Sequence, residues 1–203
     1  MRYPKLRELR EAIKALVKGP YTSKFPFEPH EPAECFRGRP KFYEKDCTGC
    51  TACANVCPTG AITFEENTLD GKLVRIFTVR YDICIFCGNC QANCLTGKGI
   101  MLSREFDLAT LGKRIDLTDR VEKELVVCEN CQNIVGPKDQ ILWVARKLGP
   151  LAFSNTSVML FYLQNNSLAK IDTPSQKPQV PLLRQDRLRL LCPRCRREIV
   201  IKS

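Results

Sequence analysis

Histidine is nearly missing from this 203-residue chain: His30 is the single one. It lies in a proline-rich tract, where a solvated or packing role is expected before ligation, so an imidazole-based triad is excluded as a working hypothesis. Long apolar runs are also absent. The longest, Val158 to Leu163, is core-sized and far short of the roughly 18 residues that cross a bilayer. Residues 1–20 have neither a continuous apolar stretch nor a small-residue cleavage site, so no secretory signal is expected and the chain is placed on the cytoplasmic side. Phosphate loops, dinucleotide fingerprints and acid–base motifs are missing as well. With 44% hydrophobic and 27% charged residues, the composition is that of a globular protein and excludes wholesale disorder.

Cysteine is abundant: 13 residues, 12 of them in short, regularly spaced groups, with Cys35 alone. An odd count in a chain without a secretion signal speaks for metal ligation over a disulfide framework. The formal charge is +10. Two oxidised [4Fe–4S] centres and one four-thiolate metal site, each carrying about −2, would bring the holo-protein to about +4. Part of the basic excess therefore balances anionic cofactors, although composition alone still admits nucleic acid as a partner.

Along the chain, Leu6, Leu9, Ile13, Leu16 and Val17 recur at spacings of three and four, and predict a helix over residues 5–18 that Gly19-Pro20 ends. Arg7, Arg10, Lys14 and Lys18 occupy much of the remainder. Such a helix either lies on an anionic membrane surface or partner, or packs on its own domain. Pro20, Pro26, Pro29, Pro32 and Pro40 then predict an extended linker. From residue 42 an internal repeat appears: Cys47, Cys50, Cys53 and Cys57 match Cys84, Cys87, Cys90 and Cys94 at an offset of 37, as Thr59-Gly60 matches Thr96-Gly97. Duplication is the simplest cause. Ala61 to Glu66 and Leu73 to Arg80 are strand-like and joined across Asp70-Gly71, a hairpin signal. Beyond Ser103 charged helix or loop is expected, then a helix over residues 138–148 with Ile141, Leu142, Ala145 and Leu148 on one face. Pro174, Pro178 and Pro181 mark a loose segment.

Cys47-x-x-Cys50-x-x-Cys53-x-x-x-Cys57-Pro58 matches the bacterial ferredoxin pattern, whose fourth cysteine serves the other cluster. Cys47, Cys50, Cys53 and Cys94 would then hold one [4Fe–4S] centre, and Cys84, Cys87, Cys90 and Cys57 the second. The small or pliable residues Gly49, Ala52, Ala54, Gly88 and Asn89 let backbone approach the sulfides. Leu95 stands where proline follows the motif, which is expected to alter the turn after Cys94. Two buried clusters suit one-electron transfer. Cys128-x-x-Cys131 and Cys192-x-x-Cys195 form a second pattern, suited to one tetrahedral Zn²⁺ or a rubredoxin-like Fe. The 60 residues between these pairs exceed the usual zinc-ribbon gap of about 15–20. Cys35 is expected as a small packed hydrophobe.

Glu28-Pro29, Phe36-Arg37-Gly38-Arg39-Pro40, the first cysteine motif, Cys84-Ile85-Phe86-Cys87-Gly88 and Leu102-Ser103-Arg104-Glu105-Phe106-Asp107-Leu108 together resemble the two-cluster subunit of respiratory complex I. They are closer still to the iron–sulfur subunit of group 4 membrane-bound [NiFe] hydrogenases of the formate hydrogenlyase type. The resemblance covers residues 20–150 well, 192–198 thinly and 150–190 not at all. It implies an electron relay beside small and large catalytic hydrogenase-like subunits and membrane-arm subunits, at the cytoplasmic face of a membrane and without a spanning segment. The N-terminal helix would then rest on an anionic membrane surface. The same parts occur in sulfane reductases and quinone-linked complexes.

The expected class is therefore α+β. Residues 1–19 form an amphipathic helix, 20–41 an extended linker, 42–108 a duplicated 2[4Fe–4S] ferredoxin-like domain and 109–203 an extension with the four-cysteine site. Two further readings stand beside this one. The first is a basic nucleic-acid-binding protein, motivated by Arg184, Arg187, Arg189, Arg194, Arg196 and Arg197, though aromatics are not interleaved for base stacking and no nucleic acid is expected. The second is a free ferredoxin carrier, which the linker, helix and added metal region disfavour.

Overall fold

The structure is a computed structural model that describes residues 5–19, 22–168 and 188–201. The chain divides into two compact units, Met1–Phe36 and Arg37–Ser203. In the first, α1 (Leu6–Lys18) follows the expected period. The Glu8 carboxylate accepts from the Lys5 N–H at 3.2 Å and closes the free N-terminus of the helix. No residue of α1 is buried, and Leu6, Leu16 and Val17 are each more than 80% exposed. Cys35 is exposed rather than packed, which corrects the expectation. It sits in a short turn in which the Phe36 N–H donates to the Ala33 carbonyl.

In the second unit a two-stranded antiparallel sheet joins β1 (Pro40–Phe42) to β4 (Ile100–Leu102). A four-stranded antiparallel sheet runs β2-β3-β5-β6, with β2 Ile62–Leu69, β3 Lys72–Arg80, β5 Thr118–Val127 and β6 Ile134–Pro137. The β2–β3 hairpin turns on Asp70 and Gly71, both at positive φ, 50° and 75°, as the primed two-residue turn requires. β5 replaces the charged helix or loop expected after Ser103. Its register against β3 pairs Arg75 with Lys123, Phe77 with Val121 and Val79 with Asp119. These pairs share one face with Ile62, Phe64 and Glu66 of β2. Lys123 therefore points inward among apolar neighbours, and its charge hides the alternation that marks a strand.

Two four-residue helices, α2 (Ala52–Asn55) and α3 (Asn89–Ala92), follow the two cysteine loops. Ile62, Val79, Tyr81, Cys90 and Ile100 form a buried core against which Cys53, Cys57 and Cys94 pack. Burying each large apolar side chain of this kind stabilises the fold by about 1.5–3 kcal/mol. The Tyr81 hydroxyl donates to the Pro40 carbonyl at 2.8 Å and ties β3 to β1. Beyond the sheet, α4 (Lys138–Leu148) has its expected bounds, with Leu142 and Ala145 buried. Leu148, expected on that face, is exposed, because Gly149 turns the chain into a 3₁₀ segment, Gly149–Ser154. α5 (Thr156–Asn165) is capped by Asn155, whose side-chain oxygen accepts from the Ser157 and Val158 N–H groups. α6 (Pro193–Ile201) closes the described chain. The expected loose segment around Pro174, Pro178 and Pro181 lies outside the described residues.

Candidate metal centres

The two ferredoxin loops reach the same backbone shape with different residues. Gly49 and Thr51 lie in the left-handed region at φ 74° and 65°, and Phe86 and Gly88, 37 residues on, at 53° and 82°. Successive turns of this kind aim N–H groups at an anion. The Gly49 N–H reaches the Cys47 sulfur and the Phe86 N–H the Cys84 sulfur. Since Phe86 tolerates this conformation, φ alone does not demand glycine at 49. Space does: an added Cβ there would lie 3.1 Å from the Cβ atoms of Lys123 and Pro137.

The fourth cysteine of the second motif reaches the loop of the first. Cys47, Cys50, Cys53 and Cys94 line one recess, with Phe42, Phe77, Gly99 and Ile100 as its apolar wall. Gly99 is needed for that closure, since a Cβ on it would sit 3.2 Å from the Cys94 sulfur and 3.0 Å from the Cys47 Cα. Cys57 and Cys87 in turn act electrostatically on Cys84. Burial pushes the Cys53 thiol up to about 12 and Cys90 to about 11, and neighbouring cysteines add to both. Burial also raises Cys47, against the Gly49 N–H and Lys123, which lower it. Buried sulfurs that oppose one another's ionisation can all be thiolates only around cations, so this donor set fits iron–sulfur clusters.

Cys57 and Cys94 behave differently. Burial raises each thiol, but hydrogen bonds outweigh it and both end below the ordinary value. Thr59 lies 3.7 Å from the Cys57 sulfur and Thr96 3.5 Å from that of Cys94, and the backbone N–H groups of Thr59, Ala61 and Ile62 and of Thr96, Gly99 and Ile100 add to them. The sequence repeat contained these threonines, but spacing did not disclose their contact with sulfur. Leu95 leaves the turn unchanged: the Gly97 N–H donates to the Cys94 carbonyl at 3.0 Å, as Gly60 does to Cys57 at 3.3 Å. The Arg37-Gly38-Arg39 and Ser103-Arg104-Glu105 tracts lie side by side. The Gly38 N–H donates to the Ser103 carbonyl at 2.9 Å, and a Cβ on Gly38 would meet the Glu105 carbonyl at 2.3 Å.

At the far end, Cys128, Cys131, Cys192 and Cys195 converge with all four sulfurs within 4.8 Å of one another. The long gap between the pairs is closed by the Glu129 N–H donating to the Leu190 carbonyl at 3.0 Å and by Arg189, which reaches the Glu129 carboxylate and carbonyl. Cys131 and Cys192 sulfurs are 3.6 Å apart, near the roughly 3.8 Å edge of a tetrahedron with metal–sulfur bonds of about 2.3 Å. Burial opposes ionisation of Cys128, yet the N–H groups of Cys131, Cys192 and Asn130 overcome it and lower that thiol to about 7. Burial pushes Cys195 up to about 12. A lowered Cys128 thiol beside the raised thiols of Cys131 and Cys195 suits a single bound cation. Ser157 supports the second pair: its hydroxyl donates to the Leu191 carbonyl at 3.0 Å, and it receives the Leu191 N–H and the Arg196 guanidinium.

Arg189 and Arg196 are thus committed to internal contacts. Arg194 faces Glu198 at 3.7 Å, and Arg184 and Arg187 lie outside the described residues. His30 is exposed in the first unit. Among the described residues, no helix is long and apolar enough to cross a membrane.

Residues 46–98 match the family described as a 4Fe-4S dicluster domain. Over 120 residues the chain is 38% identical to formate hydrogenlyase subunit 6 of Escherichia coli, a match covering 59% of this chain and 64% of that one. It is 33% identical over 93 residues to NAD(P)H-quinone oxidoreductase subunit I of Gloeobacter violaceus, covering 44% of each. The chain therefore spans about half the length of these relatives. A chain in the structure of the membrane-bound sulfane sulfur reductase, an archaeal respiratory membrane complex, is 31% identical, with a TM-score of 0.39 over 56% of this chain and 60% of that one. The resemblance read from the cysteine and arginine-glycine motifs is thus met among sequence relatives.

Proposed function

We propose that this chain is an electron-relay subunit of a membrane-bound, ion-translocating oxidoreductase of the complex I type, with a [NiFe] hydrogenase as the assembly it serves. Cys47, Cys50, Cys53 and Cys94 hold one [4Fe–4S] cluster, and Cys84, Cys87, Cys90 and Cys57 the other. The observation that carries this reading is Cys94 in the recess of Cys47, Cys50 and Cys53, as the crossed ligation of two-cluster ferredoxins requires. Bound clusters supply one-electron exchange at sulfur-ligated iron. The protein's own residues exclude water through Phe42, Phe77 and Ile100 and direct N–H groups at the sulfurs.

Similarity to formate hydrogenlyase subunit 6 supports the hydrogenase assignment, with small and large catalytic subunits and membrane-arm subunits as partners. The same relay in a sulfane reductase or quinone-linked complex is the second reading, favoured by the likeness to a quinone oxidoreductase subunit. The exposed apolar stripe of α1, flanked by Arg7, Arg10, Lys14 and Lys18, supports peripheral attachment to anionic lipid at the cytoplasmic face. The four C-terminal cysteines hold one Zn²⁺ or rubredoxin-like Fe. Duplication of an ancestral loop–helix unit accounts for the matched left-handed residues and threonine contacts, and residues 1–19, 20–41, 42–108 and 109–203 serve as membrane helix, linker, relay and metal extension.

Anaerobic reconstitution tests the relay. The expected product carries about eight iron and eight sulfide per chain in the clusters and gives two interacting signals in electron paramagnetic resonance after reduction. A lone cluster, or none, contradicts it. Purification of the native complex decides between the hydrogenase and the other assemblies by the subunits found beside this chain.

A further inference from the structure

The inward face of the large sheet carries two cations where a hydrophobic layer would be expected. Arg75 on β3 and Lys123 on β5 are directly opposite in the register, on the face that also presents Phe77 and Val121. Like charges at directly opposed positions destabilise a sheet unless negative charge lies close by. Lys123 is 6% exposed, a rare state for lysine that needs compensation.

Both cations grip the same short piece of chain. The Arg75 guanidinium donates to the Gly49 carbonyl at 2.9 Å. The Lys123 stem fills the space a Cβ on Gly49 would need, with its Cβ 3.1 Å and its Cγ 3.3 Å from that position, and its ammonium donates to the carbonyl of Glu44, in the turn entering Cys47. Gly49 stands between Cys47 and Cys50, so the loop that brings these two sulfurs together rests on a guanidinium and an ammonium. Each cation has a carboxylate: Glu66 at 2.6 Å from Arg75 and Asp139 at 2.9 Å from Lys123. The acids face water more than the bases do. Side-chain exposures are 31% for Glu66 against 13% for Arg75, and 46% for Asp139 against 7% for Lys123. Solvent therefore screens the negative partners more, and positive potential remains under the loop. At the second loop, Arg37 donates to the Cys87 carbonyl at 3.2 Å from an exposed position.

We infer that Lys123, with Arg75 beside it, is a positioning residue that raises the reduction potential of the centre held by Cys47, Cys50, Cys53 and Cys94, with Asp139 as its counterweight. The inference rests on the two-cluster reading and deepens it. A cluster that accepts one electron gains one unit of negative charge, with no bond made or broken, and a nearby buried cation favours that state.

The test is a redox titration of the full chain, reconstituted anaerobically, reduced with dithionite and followed by electron paramagnetic resonance. Lys123→Met is expected to lower the midpoint of the first centre, Asp139→Asn to raise it, and both to leave the second centre in place. Opposite signs at one centre are what a purely structural role would not produce. If Lys123→Met fails to load the first cluster, the half-exposed Asp139→Asn decides by its sign. An unchanged or lowered first-centre midpoint in Asp139→Asn, or equal shifts of both centres, overturns the inference. Failure of the wild-type chain to show two centres would instead overturn the relay reading itself.

Discussion

Gly49→Ala is expected to cost more than any left-handed conformation alone explains. The residue sits at φ 74°, where a Cβ is disfavoured by roughly 1–2 kcal/mol. The added Cβ would also lie 3.1 Å from the Cβ atoms of Lys123 and Pro137 and 3.3 Å from the Lys123 Cγ. Two of these atoms belong to β5 and β6 positions that cannot rotate away, so overpacking adds about 1–3 kcal/mol. The total is about 2–5 kcal/mol. Gly60→Ala supplies the control: φ is 64° and nothing lies within 4 Å of the new Cβ, so only the conformational part of about 1–2 kcal/mol applies. Anaerobic urea titration of the reconstituted variants, followed by cluster absorbance and far-ultraviolet dichroism, measures the difference. If the two variants lose the same stability, the first-cluster loop does not rest on β5 and β6, and the packing argument for Lys123 loses its base.

Ser157→Ala removes the hydroxyl shared by the Leu191 carbonyl, the Leu191 N–H and Arg196, and leaves buried polar groups unpaired. A loss of about 1–3 kcal/mol is expected in denaturant unfolding, with faster release of the C-terminal metal to a chelator; retention of both refutes the support assigned to it. Zn²⁺ uptake by the C-terminal set releases protons, since burial keeps Cys195 protonated until metal binds, so apparent affinity falls as pH is lowered. Calorimetry in buffers of different ionisation enthalpy checks this, and identical heats in all of them contradict it. Full-length protein is expected to sediment with vesicles containing anionic lipid and not with neutral ones, at about 1 kcal/mol per basic residue near the surface. Ile13→Glu on the exposed stripe of α1 should abolish the binding; sedimentation unaffected by that change removes α1 as the anchor.

What periodicity could carry, the sequence disclosed. α1 and α4 follow apolar spacings of three and four, and the β2–β3 hairpin follows from Asp70-Gly71 between alternating runs. β5 was hidden because its inward positions read Val121, Lys123 and Leu125, and a lysine at a core position breaks the pattern by which strands are recognised. Its function as a seat for the cysteine loop is the reason for the exception. Cysteine spacing was enough to pair the two C-terminal knuckles but not to explain how they meet. Their closure depends on Glu129 with Leu190 and Arg189 and on Ser157 with Leu191, contacts between residues distant in sequence that carry no local signature. The threonine contacts to Cys57 and Cys94 were visible as repeat letters and invisible as chemistry.

Crossed ligation is tested most directly in a chain with Cys47, Cys50 and Cys53 all replaced by Ser, reconstituted anaerobically and assayed for iron and acid-labile sulfide. That chain should keep one cluster, with about four iron atoms in it. Adding Cys57→Ser should abolish it, whereas adding Cys94→Ser should leave it intact. Loss of the cluster with Cys94→Ser and survival with Cys57→Ser would show that each loop keeps its own fourth cysteine, and would contradict the account at its centre.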